Sequence, residues 1–274
     1  MTPAMRAAVE SAKQIGLAVC DPVLVQETNN TVVWLYPEPV IAKVATRPDA
    51  ADDLRLEHAV AAELMSVDAE IAAPLPGTIP TVHETTGYTV TLWERLVGEH
   101  RVPVTEAELA GSLVRLHAAL ARTHVAVPSF RLSLSRARTA LDDDTFMVAL
   151  PTDDRRFLRR VYDAGLCELD QCGFEERRLH GEPHDANRLS TVAGIRWIDF
   201  ESCCVGPLEW DLAFQPPTLD SYFGDVDREL LALLRRLNGA RVATWCWGQV
   251  GFAEMRRHGE RHLAILRALA GDGP

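Results

Sequence analysis

Between residues 22 and 45, apolar and polar positions alternate with the period of two that a strand imposes. The alternation predicts strands over Pro22 to Glu27 and Thr31 to Tyr36, with Asn29-Asn30 as the turn. Pro37 to Pro39 then turns the chain into an apolar run, Val40-Ile41-Ala42-Lys43-Val44, which reads as a third strand. A short helix over about 3–16 precedes them. Over residues 50–66 the period changes: Leu54, Glu57, Ala61 and Leu64 fall on one face at helical spacing, so Glu57 points where the apolar stripe points. A Pro-rich link over 73–80 leads to strand-like pieces at 81–83 and 88–93. Residues 94–103, polar and containing Gly98, form a boundary. Beyond it, Thr105-Glu106-Ala107-Glu108 is a capping box that opens a helix striped by Leu109, Leu113, Leu116 and Leu120. Further helices are expected near 134–149, 153–171, 226–237, 240–257 and 259–270. The expected architecture is α+β, with a small β-rich N-terminal lobe over 1–97 and a larger helical C-terminal lobe over 98–274. A cleft between two such lobes is a natural small-molecule site.

Composition narrows the function. At 274 residues, 47% hydrophobic and 24% charged, the chain reads as an ordinary globular protein with mass enough for a substantial core. Pro or a charge interrupts every apolar run before it could span a bilayer, and the N-terminus lacks a signal-peptide core. The six cysteines form no C-x-x-C pair, which suits reduced thiols in a cytoplasmic protein. A net charge of −11 argues against a nucleic-acid partner and is compatible with a cationic substrate. Of the 28 cationic residues only Lys13 and Lys43 are lysines. Lys43 therefore places a compact ammonium, suited to act as a point charge on phosphate, inside an apolar strand. Glu57, facing inward, needs a cation, and Lys43 is the nearest candidate in sequence.

The densest chemistry lies between His180 and Ala213, where two histidines, Glu182, Asp185, Asn187, Asp199, Glu201 and Asp211 sit among large apolar residues. Oxygen ligands with few nitrogen or sulfur partners suit a hard cation such as Mg²⁺. Residues 188–190 and 195–198 read as a hairpin whose turn is centred on residue 193. That register would put Asn187 and Asp199 side by side at the open end. Glu182 would enter the same site from the preceding loop, where it could accept or orient a hydroxyl proton; Asp185 is the neighbouring alternative. Other chemistries lack their partners. His180-Gly181-Glu182 fits the start of a deaminase zinc motif, but no P-C-x-x-C follows. There is no G-x-x-x-x-G-K-[ST] loop. Cys203 and Cys204 lie beside carboxylates, the wrong setting for a thiolate.

The segment His180-Gly181-Glu182-Pro183-His184-Asp185-Ala186-Asn187, followed by Ile198-Asp199-Phe200-Glu201 and then Gly206 to Ala213, resembles the aminoglycoside phosphotransferase and choline kinase branch of the protein-kinase-like fold. Ile41-Ala42-Lys43 resembles its lysine strand, Glu57 falls at its helix glutamate, and Leu116-His117 matches a recurrent helix motif. Trp93 to Gly98 resembles its hinge, whose backbone at Glu94 and Leu96 would hold adenine. The resemblance implies a small-molecule kinase that transfers the γ-phosphate of Mg·ATP, with GTP as the other donor, to a hydroxylated acceptor. Lys43 would bind the α- and β-phosphates and Asn187 and Asp199 the Mg²⁺. His180, His184 and Asp211 would support the site. Relatives use aminoglycosides, other antibiotics, amino alcohols and sugars, so antibiotic resistance is one role the resemblance admits. Two departures stand out. Glu182 occupies the family's catalytic Asp position, and Gln26 to Thr31 contains no glycine where protein kinases carry a glycine-rich loop. The first leaves a second reading, a nucleotide-binding protein with weak or lost transfer. Oligomeric state is not legible.

Overall fold

A computed structural model describes residues 1–27, 30–96, 102–249 and 253–271, without the side chains of residues 48 and 49. The expected boundary at Gly98, the Val97-Gly98 end of the hinge, and Thr28 and Asn29 of the first turn lie outside the described residues. The elements in chain order are α1 (Pro3–Gln14), β1 (Asp21–Glu27), β2 (Thr31–Tyr36), β3 (Val40–Ala45), α2 (Pro48–Ser66), β4 (Thr81–Val82), β5 (Thr89–Glu94) and α3 (Glu106–Leu120). Then come α4 (Arg131–Ala140), α5 (Thr152–Leu169), β6 (Arg177–Leu179), β7 (Arg188–Thr191), β8 (Gly194–Trp197), β9 (Cys204–Gly206), α6 (Leu208–Leu212), α7 (Arg228–Gly248) and α8 (Ala253–Ala270).

The chain forms two compact units, each built from two stretches of sequence: Met1–Val127 with His180–Cys203, and Pro128–Leu179 with Cys204–Pro274. The first unit is organised by an antiparallel sheet in the order β1-β2-β3-β5-β4. Strict alternation gives the sheet two different faces. Val33, Leu35, Ala42, Val44, Val90 and Leu92 point one way and pack under Ala4, Ala7, Ala8 and Ala12 of α1. The registers Val32↔Lys43↔Thr91 and Trp34↔Ile41↔Trp93 define the opposite face. Helix α2 packs against β3, β5 and the short 3₁₀ turn Phe200–Ser202, burying Leu54, Glu57, Ala61 and Leu64 as the periodicity predicts.

Helix α3 begins with the expected capping box. Thr105 Oγ1 accepts from the Glu108 N–H at 3.2 Å, and the Thr105 N–H donates to Glu108 Oε2 at 2.7 Å. The β7–β8 hairpin belongs to this first unit. Trp197 is fully buried, donates its indole N–H to Ser112 Oγ of α3 at 3.0 Å, and pairs its backbone with Glu70 and Ala72.

The second unit is helical around a core that includes Phe130, Leu134, Tyr162, Trp210, Leu233, Leu237 and Trp247, with β6 and β9 as a small antiparallel pair. Two helix expectations need correction. The helix expected to reach 149 stops at Ala140, because Asp143 Oδ1 accepts from the Thr145 and Phe146 N–H groups and fixes a turn instead. The helix expected at 226–237 and most of the one expected at 240–257 are a single α7 that runs through Gly239 and ends at Gly248, while residues 253–257 belong to α8. Among the described residues no helix is long and apolar enough to cross a membrane.

Candidate active site

Lys43 stands on the face of the sheet opposite α1, on β3 between β2 and β5. Its Nζ lies 2.6 Å from Glu57 Oε1 on α2 and 3.0 Å from Asp199 Oδ1 just beyond β8. It is also 5.6 Å from the centroid of the Trp93 ring. Removing three charges from water is costly unless they compensate one another. Burial alone would discharge the ammonium, but Asp199 and Glu57 reverse that and hold Lys43 firmly cationic, its pKa raised. Burial likewise pushes the Glu57 carboxyl up, opposed by Lys43. Burial also resists ionisation of Asp199, but Lys43, by charge and hydrogen bond, more than offsets it and keeps that carboxyl below its ordinary range.

Asp199 reaches Lys43 from a left-handed backbone conformation, φ 69° and ψ 60°. Aspartate tolerates that region better than most residues. The next residue, Phe200, is fully buried against His180 at a centroid distance of 4.8 Å. His180 Nδ1 accepts from the Glu182 N–H at 3.3 Å, so Nε2 carries the proton that bonds the Ile198 carbonyl at 3.0 Å. The imidazole thus ties the loop at 182 to the end of β8. Gly181, at φ +89°, completes the tie, since a Cβ there would fall 1.9 Å from the Ser202 carbonyl oxygen.

The Glu182 carbonyl is a hub that accepts from the His184 N–H at 2.8 Å and from Asn187 Nδ2 at 3.0 Å. Asn187 is therefore oriented, and its Oδ1 accepts no hydrogen bond from another described residue. The Glu182 side chain is 23% exposed, and its Oε2 lies 3.8 Å from His184 Nε2. Asp185 is taken by Arg188, whose Nε donates to it at 3.1 Å. The hairpin register differs from the expected one. Arg188 pairs with Trp197 and Thr191 with Gly194, so the turn is Val192-Ala193, centred half a residue earlier. Asn187 consequently faces Ile198, whose N–H donates to its carbonyl at 3.0 Å, and Asp199 lies one residue past the pair.

Two further residues join the site: Glu201, marked in the sequence only as one of the dense run of carboxylates, and Asn30, marked only as part of a turn. Glu201 brings a third carboxylate: oxygens of Glu57, Asp199 and Glu201 all lie within 4.8 Å of one another. Burial first, then the charge of Asp199, pushes Glu201 up to about 8. Asn30, buried at the start of β2, donates Nδ2 to Glu201 Oε2 at 3.0 Å across 171 residues of sequence. Glu57 Oε2 and Asn30 Oδ1 are buried without a hydrogen-bond partner among the described residues. An all-oxygen set with orphaned buried acceptors fits a hard divalent cation. At the end of β5, the Glu94 N–H is used by Ala73 and the Arg95 N–H by Pro39, whereas Leu96 makes no backbone hydrogen bond to a described residue. Asp211 lies fully buried on α6 of the second unit.

A sequence profile described as the phosphotransferase enzyme family matches residues 23–253. The chain belongs to that family. No curated protein sequence matches this family member. Solved structures establish its protein-kinase-like fold. The GDP complex of aminoglycoside 2'-phosphotransferase-IIIa is 14% identical, aligning 98% of this chain with 100% of that one at a TM-score of 0.71. A choline kinase from Streptococcus pneumoniae is 13% identical over 94% and 97% at 0.69. A choline/ethanolamine kinase family protein from Mesorhizobium loti is 15% identical over 96% and 92% at 0.67.

Proposed function

We propose that this family member is a small-molecule kinase that transfers the γ-phosphate of a Mg²⁺-bound purine nucleoside triphosphate, ATP or GTP, to a hydroxyl group. The observation that carries the reading is the ion-pair set that a buried Glu57 makes with a largely shielded Lys43 and a partly exposed Asp199. A structural salt bridge gains little from drawing two carboxylates and one ammonium together largely out of water. A phosphate site gains a cation held at a fixed point beside an oxygen-rich pocket. In this role Glu57 positions Lys43, and the ammonium holds the α- and β-phosphate oxygens. Asp199 and the oriented Asn187 Oδ1 would hold the metal, with Glu201 within reach of Asp199. Bound there, Mg²⁺ would neutralise charge on the phosphates. The Leu96 N–H, unbonded among the described residues, would take the base edge, and in the family-based reading the backbone of Glu94, whose N–H is bonded to Ala73, would lie beside it. His180 and His184 shape the loop that carries Glu182, the first through its ring and the second through its backbone. Asp211 would serve in the family-based reading as a supporting residue rather than a reacting one.

Glu182 is the group that aligns or deprotonates the acceptor hydroxyl for in-line attack. Its backbone is fixed at three points while its carboxylate remains solvent-accessible, which is what a positioned base needs. The test is nucleoside diphosphate release across a panel of hydroxylated small molecules, aminoglycosides and amino alcohols included. At least one acceptor should stimulate release, and Glu182→Gln should lower that stimulated rate by about 10²-fold or more with nucleotide affinity nearly unchanged. Full activity in the Gln variant would remove Glu182 from the reaction. Mg-dependent binding without release for any acceptor would favour a nucleotide-binding protein that has lost transfer.

A further inference from the structure

The Lys43 face of the sheet changes character in a regular order. Val32, Lys43 and Thr91 form one cross-strand row, and Trp34, Ile41 and Trp93 form the next. Arg95 follows on the same face, because side chains 91, 93 and 95 alternate onto one side. Four residues of strand separate Thr91 from Arg95, roughly 13 Å at the usual rise. That span is comparable with the distance from the inner phosphates of a nucleotide to its base. The phosphate-binding ammonium thus stands at one end of the face and a guanidinium at the other.

Arg95 is held there in a particular way. Its Cζ lies 4.0 Å from the centroid of the Trp34 ring. The indole is itself fixed by donation to the Glu38 carbonyl at 2.9 Å and by edge contact with Tyr36 at 5.1 Å. Stacking on an aromatic ring uses the flat face of a guanidinium and leaves its N–H donors free in the plane. Among the described residues no carboxylate or carbonyl accepts from the Arg95 side chain. Most other arginines of this acidic chain have acidic partners, so an immobilised, half-buried guanidinium with open donors is unusual here.

We infer that Trp34 and Arg95 form a base-selecting clamp, and that the nucleotide site favours guanine over adenine. The inference rests on the nucleotide reading above. Guanine presents two acceptors, O6 and N7, on one edge, which match the fork of an arginine. On the same edge adenine presents N7 beside an amino donor, which an arginine cannot pair. Trp34 supplies the platform that keeps the fork in place.

Calorimetric titration of the intact chain with GTP and ATP in Mg²⁺ tests this. GTP should bind at least tenfold more tightly than ATP, and Arg95→Ala or Arg95→Lys should bring the ratio close to one. Trp34→Leu should reduce the preference by releasing Arg95. A probe that needs no variant is 7-deaza-GTP, which lacks the N7 acceptor; it should bind wild type at least fivefold more weakly than GTP and Arg95→Ala no more weakly than GTP. Equal affinity for ATP and GTP in wild type, or a preference untouched by Arg95→Ala, overturns the inference and leaves the kinase reading standing. Binding of neither nucleotide, with Lys43→Met indistinguishable from wild type, overturns both.

Discussion

Gly181 admits no other side chain. At φ +89° an L-residue is strained, and a Cβ would lie 1.9 Å from the Ser202 carbonyl oxygen. Gly181→Ala must therefore displace either the loop carrying Glu182 or the turn carrying Glu201. The expected outcome is a loss of about 1–3 kcal/mol in stability, from backbone strain and overpacking, with at least a tenfold loss of acceptor-stimulated turnover. A melting curve and a rate measurement check it, and unchanged values for both would contradict the packing described. The other site residues were unequally legible in the sequence. Lys43 was exposed by its rarity among arginines, and Glu57 by its place on an apolar stripe. Asp199 and Asn187 were marked by a dense local run of oxygen ligands. Glu201 belongs to the same run, whereas Asn30 was marked only as part of a turn, because what joins it to Glu201 is a contact between residues 171 apart. Arg95 was equally silent, since nothing in its local sequence reveals that it stacks on Trp34.

At the scale of elements, periodicity located most strands and helices, and the errors have physical causes. The Asp143 side chain ends a helix that its apolar pattern would continue. Gly239, by contrast, does not end α7, which runs through it to Gly248. The hairpin register slipped because a two-residue turn and a turn centred on residue 193 differ by half a residue, which residue type alone does not resolve. That hairpin is also structural for its unit. Its Trp197 is fully buried and bonded to Ser112, Glu70 and Ala72, and Ser190 accepts from the Val102 N–H at 2.9 Å. A fragment of residues 1–127 should consequently fail to fold alone, since it would leave the surface around α3 and residues 70–72 uncovered. Far-UV circular dichroism with a urea titration decides the matter, and a cooperative transition for the fragment would show the hairpin to be dispensable.

At the scale of the whole molecule, sequence motifs in the right order gave the protein-kinase-like fold, and the family match over residues 23–253 with the structural neighbours bears it out. The sequence did not reveal that each compact unit is assembled from two separated stretches, because the contacts that define a unit are long-range. One consequence is that His180–Cys203 brings Asp199 to Lys43 and Glu57 inside the first unit, so the charged centre forms within a single folded body. This centre, three carboxylates around one ammonium, should bind a nucleoside triphosphate through a divalent cation. Calorimetric titration of the nucleotide with and without Mg²⁺, in wild type and in Asp199→Ala, measures that directly. Wild-type affinity should rise at least tenfold with Mg²⁺, while the variant binds weakly and equally in both conditions. A wild-type protein indifferent to Mg²⁺, or an Asp199→Ala variant that keeps the full dependence, would contradict the assignment.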